Sequence, residues 1–368
     1  MTDTPRPARP AFLPGLELSR AFYAEAVRPL LDEAVPGLVH SAARLGTGSD
    51  VLGFDTERSA DHDWGPRLQV FLRPQDVDAH GARLSAVLSE RLPKTIRGYP
   101  THFGATEEAH VRVMRMTDGP VQHRVDIVSP GDWLTGALGF DPREPIGLAE
   151  WLTTPAQRLA EVTGGAVFHD GLGELEPARA ALAWYPEDVW RYLLACQWQR
   201  IAQEEAFVGR CGEVGDELGS AVVAARLVRD LMRLCLLMDR RYPPYGKWLG
   251  SAFARTAAAP RLTADLTAVL AAAEWQAREA HLCRAYETVA RAHNALGLTA
   301  PLDPAVRPFH DRPFQVLDAG RFRAALADGI VDPAVRRLPA TGGVEQFVDG
   351  TDALGSDDVR SALRVLFE

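Results

Sequence analysis

Residues 48–72 read GSDVLGFDTERSADHDWGPRLQVFL, and this stretch decides the fold. A Gly-Ser turn is followed, about a dozen positions later, by Asp61 and Asp63, and then by the apolar run 68–72. In an extended segment residues i and i+2 point to the same side, so the two carboxylates would converge on one point. Carboxylates held close repel one another unless a proton or cation lies between them, and Mg²⁺ prefers oxygen ligands. The stretch therefore predicts a site for a divalent cation.

The sequence before this pair decides between a metal site and the ordinary alternative, because an isolated Asp-x-Asp is more often a solvated turn. Residues 38–45 predict a short strand, and residues 46–49 then form a glycine-rich turn. Backbone N–H groups in such a turn approach an anion with little interference from Cβ atoms. Gly48 and Ser49 are therefore predicted to bind phosphate.

A third carboxylate, Asp126, lies in the strand-like run 123–128. A similar run, 111–116, precedes it, and the Asp-Gly pair within residues 117–120 predicts a hairpin between the two runs. The segments predicted as helices in this part of the chain are 19–34 and 77–92. The expected result is a small mixed α/β domain with three carboxylates on one sheet.

These features together resemble the nucleotidyltransferase superfamily, whose fold is shared by DNA polymerase beta and the antibiotic nucleotidyltransferases. The resemblance lies in Gly48-Ser49, in Asp61-x-Asp63 and in the later strand residue Asp126. It implies that the first two carboxylates hold one or two Mg²⁺ ions and that the Gly-Ser turn holds a nucleoside triphosphate, expected to be ATP. Asp126 would either complete the metal site or accept the proton of the attacking group.

A more local similarity is to an uncharacterised bacterial group within that superfamily, described only as a domain of unknown function. The stretches that carry it are 61–67, 209–220, 242–248 and 312–316, and because they are spread along the sequence the similarity covers most of the chain. The similarity implies a chemistry, which is transfer of a nucleoside monophosphate to an acceptor, without naming the substrate. A small-molecule hydroxyl is the favoured acceptor and a protein side chain is the next. The alternative is a catalytically silent nucleotide-binding or interaction protein with the same fold.

A rival acidic pair, Asp55 and Glu57, lies between the Gly-Ser turn and Asp61. No apolar strand adjoins it, so a solvated pair with Arg58 as a partner is expected there. The metal site is therefore predicted at Asp61, Asp63 and Asp126 instead.

Long amphipathic helices are predicted from about residue 186 onward. Their expected spans are 189–207, 216–240, 262–280 and 282–296. The sequence thus predicts an α+β protein in which a small mixed-sheet nucleotidyltransferase domain is followed by an α-helical bundle. The predicted boundaries are a flexible leader 1–15, a catalytic domain 16–155, a helical domain 156–300 and a C-terminal extension 301–368.

Basic residues of the helical domain are the other candidates for binding nucleotide. Arg226, Arg229 and Arg233 share a helix face, so they predict either a phosphate clamp or a solvated stripe paired with Asp230 and nearby acids. Lys247 is one of two lysines among 40 basic residues. It either contacts the triphosphate or is a surface lysine lying along Trp248.

The glycine-rich stretch 209–220 likewise has two interpretations. It forms either a loop that shapes the acceptor pocket or an ordinary connection between helices, since glycine commonly ends helices.

Composition limits the partners. A net charge of -9 argues against a broad nucleic-acid surface, because proteins bind phosphate backbones mainly through clustered Lys and Arg. No apolar stretch approaches the roughly 20 residues of a membrane span. The four cysteines are widely spaced and match no zinc or redox pattern, which predicts a reduced, cytoplasmic protein. The sequence predicts no oligomeric state.

Overall fold

The computed structural model describes residues 10–108 and 111–367, with the side chain of Asp61 outside that description. This part of the chain divides into two compact units. Unit 1 extends to residue 145 and also contains residues 158–183, whereas unit 2 contains residues 146–157 and the chain from residue 184 onward. Small sheets and many helices are both present, so the predicted α+β class is confirmed.

The described helices, in chain order, are α1 (Gly15–Phe22), α2 (Arg28–Ala34), α3 (Pro74–Arg91), α4 (Pro130–Leu138), α5 (Leu148–Thr153), α6 (Ala156–Thr163), α7 (Leu175–Ala181), α8 (Glu187–Glu204), α9 (Phe207–Glu213), α10 (Glu217–Met238), α11 (Gly246–Phe253), α12 (Ala259–Ala271), α13 (Trp275–Ala295), α14 (Gly320–Asp328), α15 (Pro333–Arg336), α16 (Val344–Phe347), α17 (Thr351–Gly355) and α18 (Asp357–Leu363). The described strands are β1 (Ser41–Arg44), β2 (Arg67–Phe71), β3 (Thr95–Ile96), β4 (Tyr99–Pro100), β5 (His102–Ala105), β6 (Arg112–Arg115), β7 (Arg124–Val128), β8 (Ala166–Asp170), β9 (Arg307–Pro308) and β10 (Gln315–Val316).

Unit 1 is built on a four-stranded sheet in the order β7-β2-β1-β8. β1 is antiparallel to both β2 and β8, while β2 runs parallel to β7. The register of the parallel pair sets Arg67 beside Arg124 and Gln69 beside Asp126. Asp126 of the predicted site, on the edge strand β7, is therefore a direct neighbour of Gln69 on β2.

The two faces of this sheet have different surroundings. On the first face, Leu68, Val70 and Val125 pack into a core with the buried side chains of α1, α2 and α3. On the second face, Phe71 packs edge-on against Trp133 of α4, with the ring centroids 5.7 Å apart. Strand alternation places four polar residues on the remainder of that second face, and we call them the polar half: Arg67, Gln69, Arg124 and Asp126.

Local sequence explains how α4 is held against the second face. Ser129 caps the helix, since its Oγ accepts a hydrogen bond from the backbone N–H of Asp132 at 3.1 Å. Pro130 suits the first helical position because its ring fixes φ and it lacks an N–H that would stay unpaired there. Gly139 ends the helix in the left-handed region, with φ of 80°.

The predicted hairpin between residues 111–116 and 123–128 is wrong. β6 pairs with β5, and β7 pairs with β2 in the parallel direction. An Asp-Gly turn favours a hairpin locally, but β7 buries Val125 by joining the central sheet, and that packing overrides the turn signal. The placement of Asp126 in a sheet is confirmed.

Unit 2 is mainly helical, as the amphipathic pattern predicted. Observed helices α8 and α10 lie within about two or three residues of their predicted limits, whereas α12 ends at Ala271 and α13 already begins at Trp275. The fully buried Trp198 of α8 stacks on Phe322 of α14 with the ring centroids 4.5 Å apart. This stacking of aromatic rings packs α8 against α14.

Residues 209–220 are mostly helical, which removes the pocket-loop interpretation for most of this stretch. The connection between α9 and α10 is confined to residues 214–216. Gly212 permits close helix packing, because a Cβ there would lie 2.0 Å from Cγ of Trp275. Gly209 is similar, since its Cβ would lie 2.4 Å from Cγ of Phe314.

A buried carboxylate fixes the start of α14. Glu205 accepts hydrogen bonds from three successive backbone N–H groups, those of Leu317 at 2.7 Å, Asp318 at 3.1 Å and Ala319 at 2.9 Å. These donors belong to the segment that leads into α14, and the side chain satisfies groups that would otherwise be costly to bury.

Residues 158–183, which the sequence assigned to the helical domain, pack within unit 1. β8 pairs with β1 and supplies an edge of the central sheet. Residues 301–368, predicted as a separate extension, group with unit 2 over their described part.

Candidate functional site

A buried ion-pair network closes the loop after β1. Oδ2 of Asp50 accepts a hydrogen bond from Nε of Arg44 at 2.8 Å, and Oδ1 accepts from Nη2 of Arg67 at 3.0 Å. The same arginines donate to the carbonyl oxygen of Thr47, at 2.7 Å and 3.3 Å respectively. The turn at residues 46–49 is therefore tied to the first residue of β2.

The charges within this network set the pKa values of its members. Burial alone would raise the pKa of Asp50, but the positive charges of Arg44 and Arg67 and the hydrogen bonds from them hold it below its usual value. Burial and repulsion from Arg44 lower the pKa of Arg67 to about 10, against the opposing effect of Asp50. Asp50 and Arg67 are therefore both charged at neutral pH.

Gly48 is packed directly against these guanidinium groups. Its φ is +147°, and a Cβ built on it would lie 2.1 Å from Oδ1 of Asp50 and 2.5 Å from Nη2 of both Arg44 and Arg67. Glycine is required here because no side chain fits and because L residues rarely adopt this backbone conformation. The predicted Gly48-Ser49 turn is thus present, and its binding of phosphate stays a prediction.

The extended backbone expected from Asp61 to Asp63 is not found. Asp61 is the last residue of a short 3-10 helix, Glu57–Asp61, and Asp63 has a left-handed φ of +44°. His62 between them is extended, with φ of −158° and ψ of 155°. The strand begins later because Pro66 has no N–H to donate to a ladder. Strand alternation therefore does not direct both carboxylates to one side. The side chain of Asp61 lies outside the described residues.

Asp63 is nevertheless placed beside the second face of the sheet. Its Oδ1 lies 3.6 Å from Nη2 of Arg124, with about a third of the Asp63 side chain exposed. This Oδ1 atom is enclosed and has no hydrogen-bond partner. Arg124 and Asp126 are two residues apart on β7, so their side chains point to the same face. Asp63 and the exposed Asp126 therefore lie on one side of the sheet.

Two arginines connect predicted residues of unit 1. Gly48 contacts Arg67, Arg67 is the register partner of Arg124, and Arg124 reaches Asp63. Neither arginine was predicted from the sequence as a site residue. The signal was present, because β2 reads RLQVF and β7 reads RVDIV, and the period-two alternation puts Arg67 and Arg124 at the polar positions.

One structural observation supports a divalent cation beside Asp63. An enclosed carboxylate oxygen without a hydrogen-bond partner, such as Oδ1 of Asp63, is costly unless a cation or water satisfies it. Among the side chains that the structure describes, no cluster of three His, Cys, Asp or Glu residues forms a metal site. Asp63 and Asp126 are the described carboxylates that would hold Mg²⁺, with Asp61 as the predicted third.

Asp55 is not the solvated residue that the sequence predicted. Its Oδ2 accepts hydrogen bonds from the backbone N–H of Gly15 at 2.7 Å and from Nε1 of Trp64 at 3.0 Å. The buried Trp64 needs a partner for its indole N–H, and a nearby carboxylate provides it. Asp55 therefore holds the loop to the start of α1.

The predicted nucleotide-binding residues of the helical domain all lie in unit 2. Lys247 is exposed near the start of α11, and its Nζ lies over the ring of Trp248, 5.0 Å from the centroid. This is the arrangement expected of a surface lysine lying along an aromatic ring. Its contact with a triphosphate stays a prediction.

The three arginines of α10 have different surroundings. Arg226 is exposed and pairs with Glu204 at 2.7 Å, and Arg229 pairs with Asp349. Arg233 is buried, and this burial lowers its pKa while the nearby Glu345 opposes the shift. Asp230, the partner expected for the stripe, pairs with Arg200 of α8 at 3.2 Å. Arg226 and Arg229 thus form ion pairs within unit 2, and the role of the three arginines as a phosphate clamp stays a prediction.

Comparison with known families gives one match. Residues 151–249 match the family model described as Domain of unknown function (DUF4037). The match covers about a quarter of the 368-residue chain and includes Lys247 and the α10 arginines, but not Gly48, Asp63 or Asp126. No curated protein matches the chain.

None of the helices in the described residues combines the length and apolarity needed to cross a membrane.

Proposed function

We propose that the polar half of the sheet and the adjoining turn catalyse Mg²⁺-dependent transfer of a nucleoside monophosphate from a nucleoside triphosphate, with ATP as the expected donor. The observation that carries the proposal is that Asp63 and Asp126 lie on one sheet face beside the Gly48-Ser49 turn, linked by Arg67 and Arg124. Carboxylates beside a glycine-rich turn are suited to binding a metal together with phosphates.

The chemistry is an in-line displacement at the α-phosphorus. The acceptor hydroxyl oxygen forms a bond to phosphorus, the bond from phosphorus to the bridging oxygen of the pyrophosphate breaks, and pyrophosphate leaves. Asp63, with Asp61, would hold Mg²⁺, which supplies charge neutralisation of the phosphates when bound. Asp126, exposed on β7, either completes this coordination or takes the proton of the hydroxyl.

A small-molecule hydroxyl is the acceptor that we favour, with a protein side chain as the next candidate. The net charge of -9 disfavours a nucleic-acid acceptor, because clustered cations are needed to bind a phosphate backbone. Cys196, Cys211, Cys235 and Cys283 are all free thiols, which supports the proposal of a reducing, cytoplasmic location.

One contact favours a second candidate, a catalytically silent nucleotide-binding protein. Arg124 already provides a cation to Asp63, so the carboxylate is partly neutralised without a metal. A protein that retained the fold and lost the chemistry would tolerate this pair.

The test is pyrophosphate release from each of the four nucleoside triphosphates, with Mg²⁺ or with EDTA, in the presence of a metabolite extract. We expect Mg²⁺-dependent release by the native protein and a loss of about a hundredfold or more in Asp63→Asn and Asp126→Asn. Asp118→Asn is the matched control, because Asp118 is an exposed aspartate of unit 1 outside the site.

Two outcomes would contradict the proposal. Turnover that survives in Asp63→Asn would show that Asp63 does not hold the metal. Nucleotide binding without pyrophosphate release, across a broad set of small-molecule and protein acceptors, would support the silent alternative.

A further inference from the structure

Two guanidinium groups lie next to the Gly48-Ser49 turn, and a third belongs to the strand beside Arg67. Arg44 and Arg67 share the carboxylate of Asp50, and Arg124 is the register partner of Arg67 on the adjacent strand. Asp50 thus neutralises one of two buried positive charges, and Asp63 is in contact with the third arginine at 3.6 Å. The buried group of Arg44, Arg67 and Asp50 therefore carries one net positive charge, while Asp63 and Asp126 are the carboxylates near Arg124.

Arg67 presents an unused donor within this cluster. The side chain is 12% exposed, and its Nη2 is engaged by Asp50 and by the carbonyl oxygen of Thr47. Its Nε is enclosed and has no hydrogen-bond partner. A buried guanidinium N–H without an acceptor is unfavourable, and an anionic oxygen would satisfy it.

Arg124 is the more accessible member. Its side chain is 40% exposed, and its 3.6 Å separation from Oδ1 of Asp63 exceeds the length of an ordinary N–H···O hydrogen bond. Neighbouring strands lie about 4.8 Å apart, so the Arg124 side chain leaves β7 close to that of Arg67.

We propose that Arg67 and Arg124 form a polyphosphate-binding subsite that holds the β- and γ-phosphates of the donor nucleotide. The proposal rests on the proposed function, and it assigns the phosphate contacts to the central sheet of unit 1 rather than to Lys247 or the α10 arginines. Planar guanidinium groups bind phosphate oxygens in pairs, which suits two arginines on adjacent strands.

The test uses inorganic tripolyphosphate as the probe, titrated into the full chain by calorimetry in EDTA, so that neither metal nor nucleotide chemistry contributes. We expect Arg124→Gln to weaken binding about tenfold or more, because a hydrogen bond between charged groups is lost. Arg124→Lys, which keeps the charge without the planar fork, should fall between Arg124→Gln and the native protein. Asp63→Asn, which removes a nearby negative charge, should strengthen binding severalfold.

Arg83→Gln is the matched control, because Arg83 is exposed on α3, the helix that covers the opposite face of the sheet. Arg67→Gln is not used as the primary variant, since it would also break the pair with Asp50. Native affinity for tripolyphosphate in Arg124→Gln would overturn the inference, and so would absence of binding by the native protein at millimolar probe.

The binding test and the turnover test can fail separately. Tripolyphosphate binding that depends on Arg124, with no turnover of any nucleotide, would uphold the subsite and reject the transferase. Mg²⁺-dependent turnover accompanied by unchanged tripolyphosphate binding in Arg124→Gln would uphold the transferase and reject the subsite.

Discussion

The carboxylate of Asp50 and the guanidinium of Arg44 form an ion pair that is almost completely enclosed by protein, with side-chain exposures of 0% and 3%. The pair connects the end of β1 to the loop that follows it, and Arg67 joins it from β2. A pair this buried is costly to desolvate, so its main effect is seen when one partner is removed.

We expect Asp50→Ala to destabilise the protein by about 3 to 5 kcal/mol, because two buried guanidinium groups would lose their counter-charge. The measurement is the midpoint of urea unfolding, followed by tryptophan fluorescence. Asp118→Ala, at an exposed turn, should change the free energy of unfolding by less than about 0.5 kcal/mol. Equal midpoints for the two variants would show that the pair does not stabilise the loop.

Gly48→Ala tests the contact between the turn and the arginines. The added Cβ would overlap Asp50 and both guanidinium groups, so we expect a loss of stability larger than the roughly 1 to 2 kcal/mol of backbone strain alone. Gly37→Ala is the control, because Gly37 also has a positive φ, of +80°, but nothing lies within 4 Å of its built Cβ. Thermal unfolding of both variants separates the clash from the strain, and similar melting temperatures would contradict this packing.

One buried carboxyl group, that of Glu205, should make the free energy of unfolding fall as the pH rises. Burial raises the pKa of Glu205 to about 7 in the folded protein from 4.5, and the three backbone donors oppose that rise. Between these values the folded state binds more protons than the unfolded state, so the free energy of unfolding decreases as pH rises through this window and levels off above it. The contribution is of order 2 to 3 kcal/mol.

The measurement is the free energy of urea unfolding at pH 5, 6, 7 and 8 for the native protein and for Glu205→Gln. Glutamine keeps an acceptor oxygen for the start of α14 but does not titrate. The difference between the two profiles should diminish by the amount above between pH 5 and pH 8. Parallel profiles would assign the native pH dependence to other groups.

Gly212→Ala should destabilise unit 2 by several kcal/mol, because the new methyl group would overlap the ring of Trp275. Gly250→Ala, inside α11 with nothing within 4 Å of its built Cβ, should instead stabilise the protein by about 0.5 to 1 kcal/mol. Circular dichroism melts of both variants give the comparison. A neutral Gly212→Ala would mean that α9 does not pack against Trp275 as closely as described.

The hydrophobic periodicity of the sequence predicted the positions of the helices and strands well, but it did not predict which strands pair. The amphipathic pattern located α8 and α10, because each helix buries one stripe of its own sequence. The pairing of β7 with β2 joins residues more than fifty positions apart, and nothing local in 111–128 encodes it. The Asp-Gly turn instead favoured a hairpin that the packing of Val125 excludes.

The same limit applied to the candidate site. The Gly-Ser turn and Asp126 were located from local patterns, whereas the backbone at Asp63 depends on its hydrogen bond to the carbonyl oxygen of Arg112, 49 positions further along the chain. Arg67 and Arg124 are recognisable as a pair from strand alternation only once the parallel register is known. Asp55 is predicted to be solvated because no apolar strand adjoins it, but its partners, Gly15 and Trp64, are brought to it by the tertiary structure.

The position of β8 has a consequence for the order of synthesis. Residues 146–157 group with unit 2 but leave the ribosome before residues 158–183, which complete unit 1. Until β8 has been made, β1 is an open edge with unpaired backbone groups, the kind of edge that invites pairing with another chain. A polypeptide cut at the predicted boundary of 155 would keep that edge open permanently.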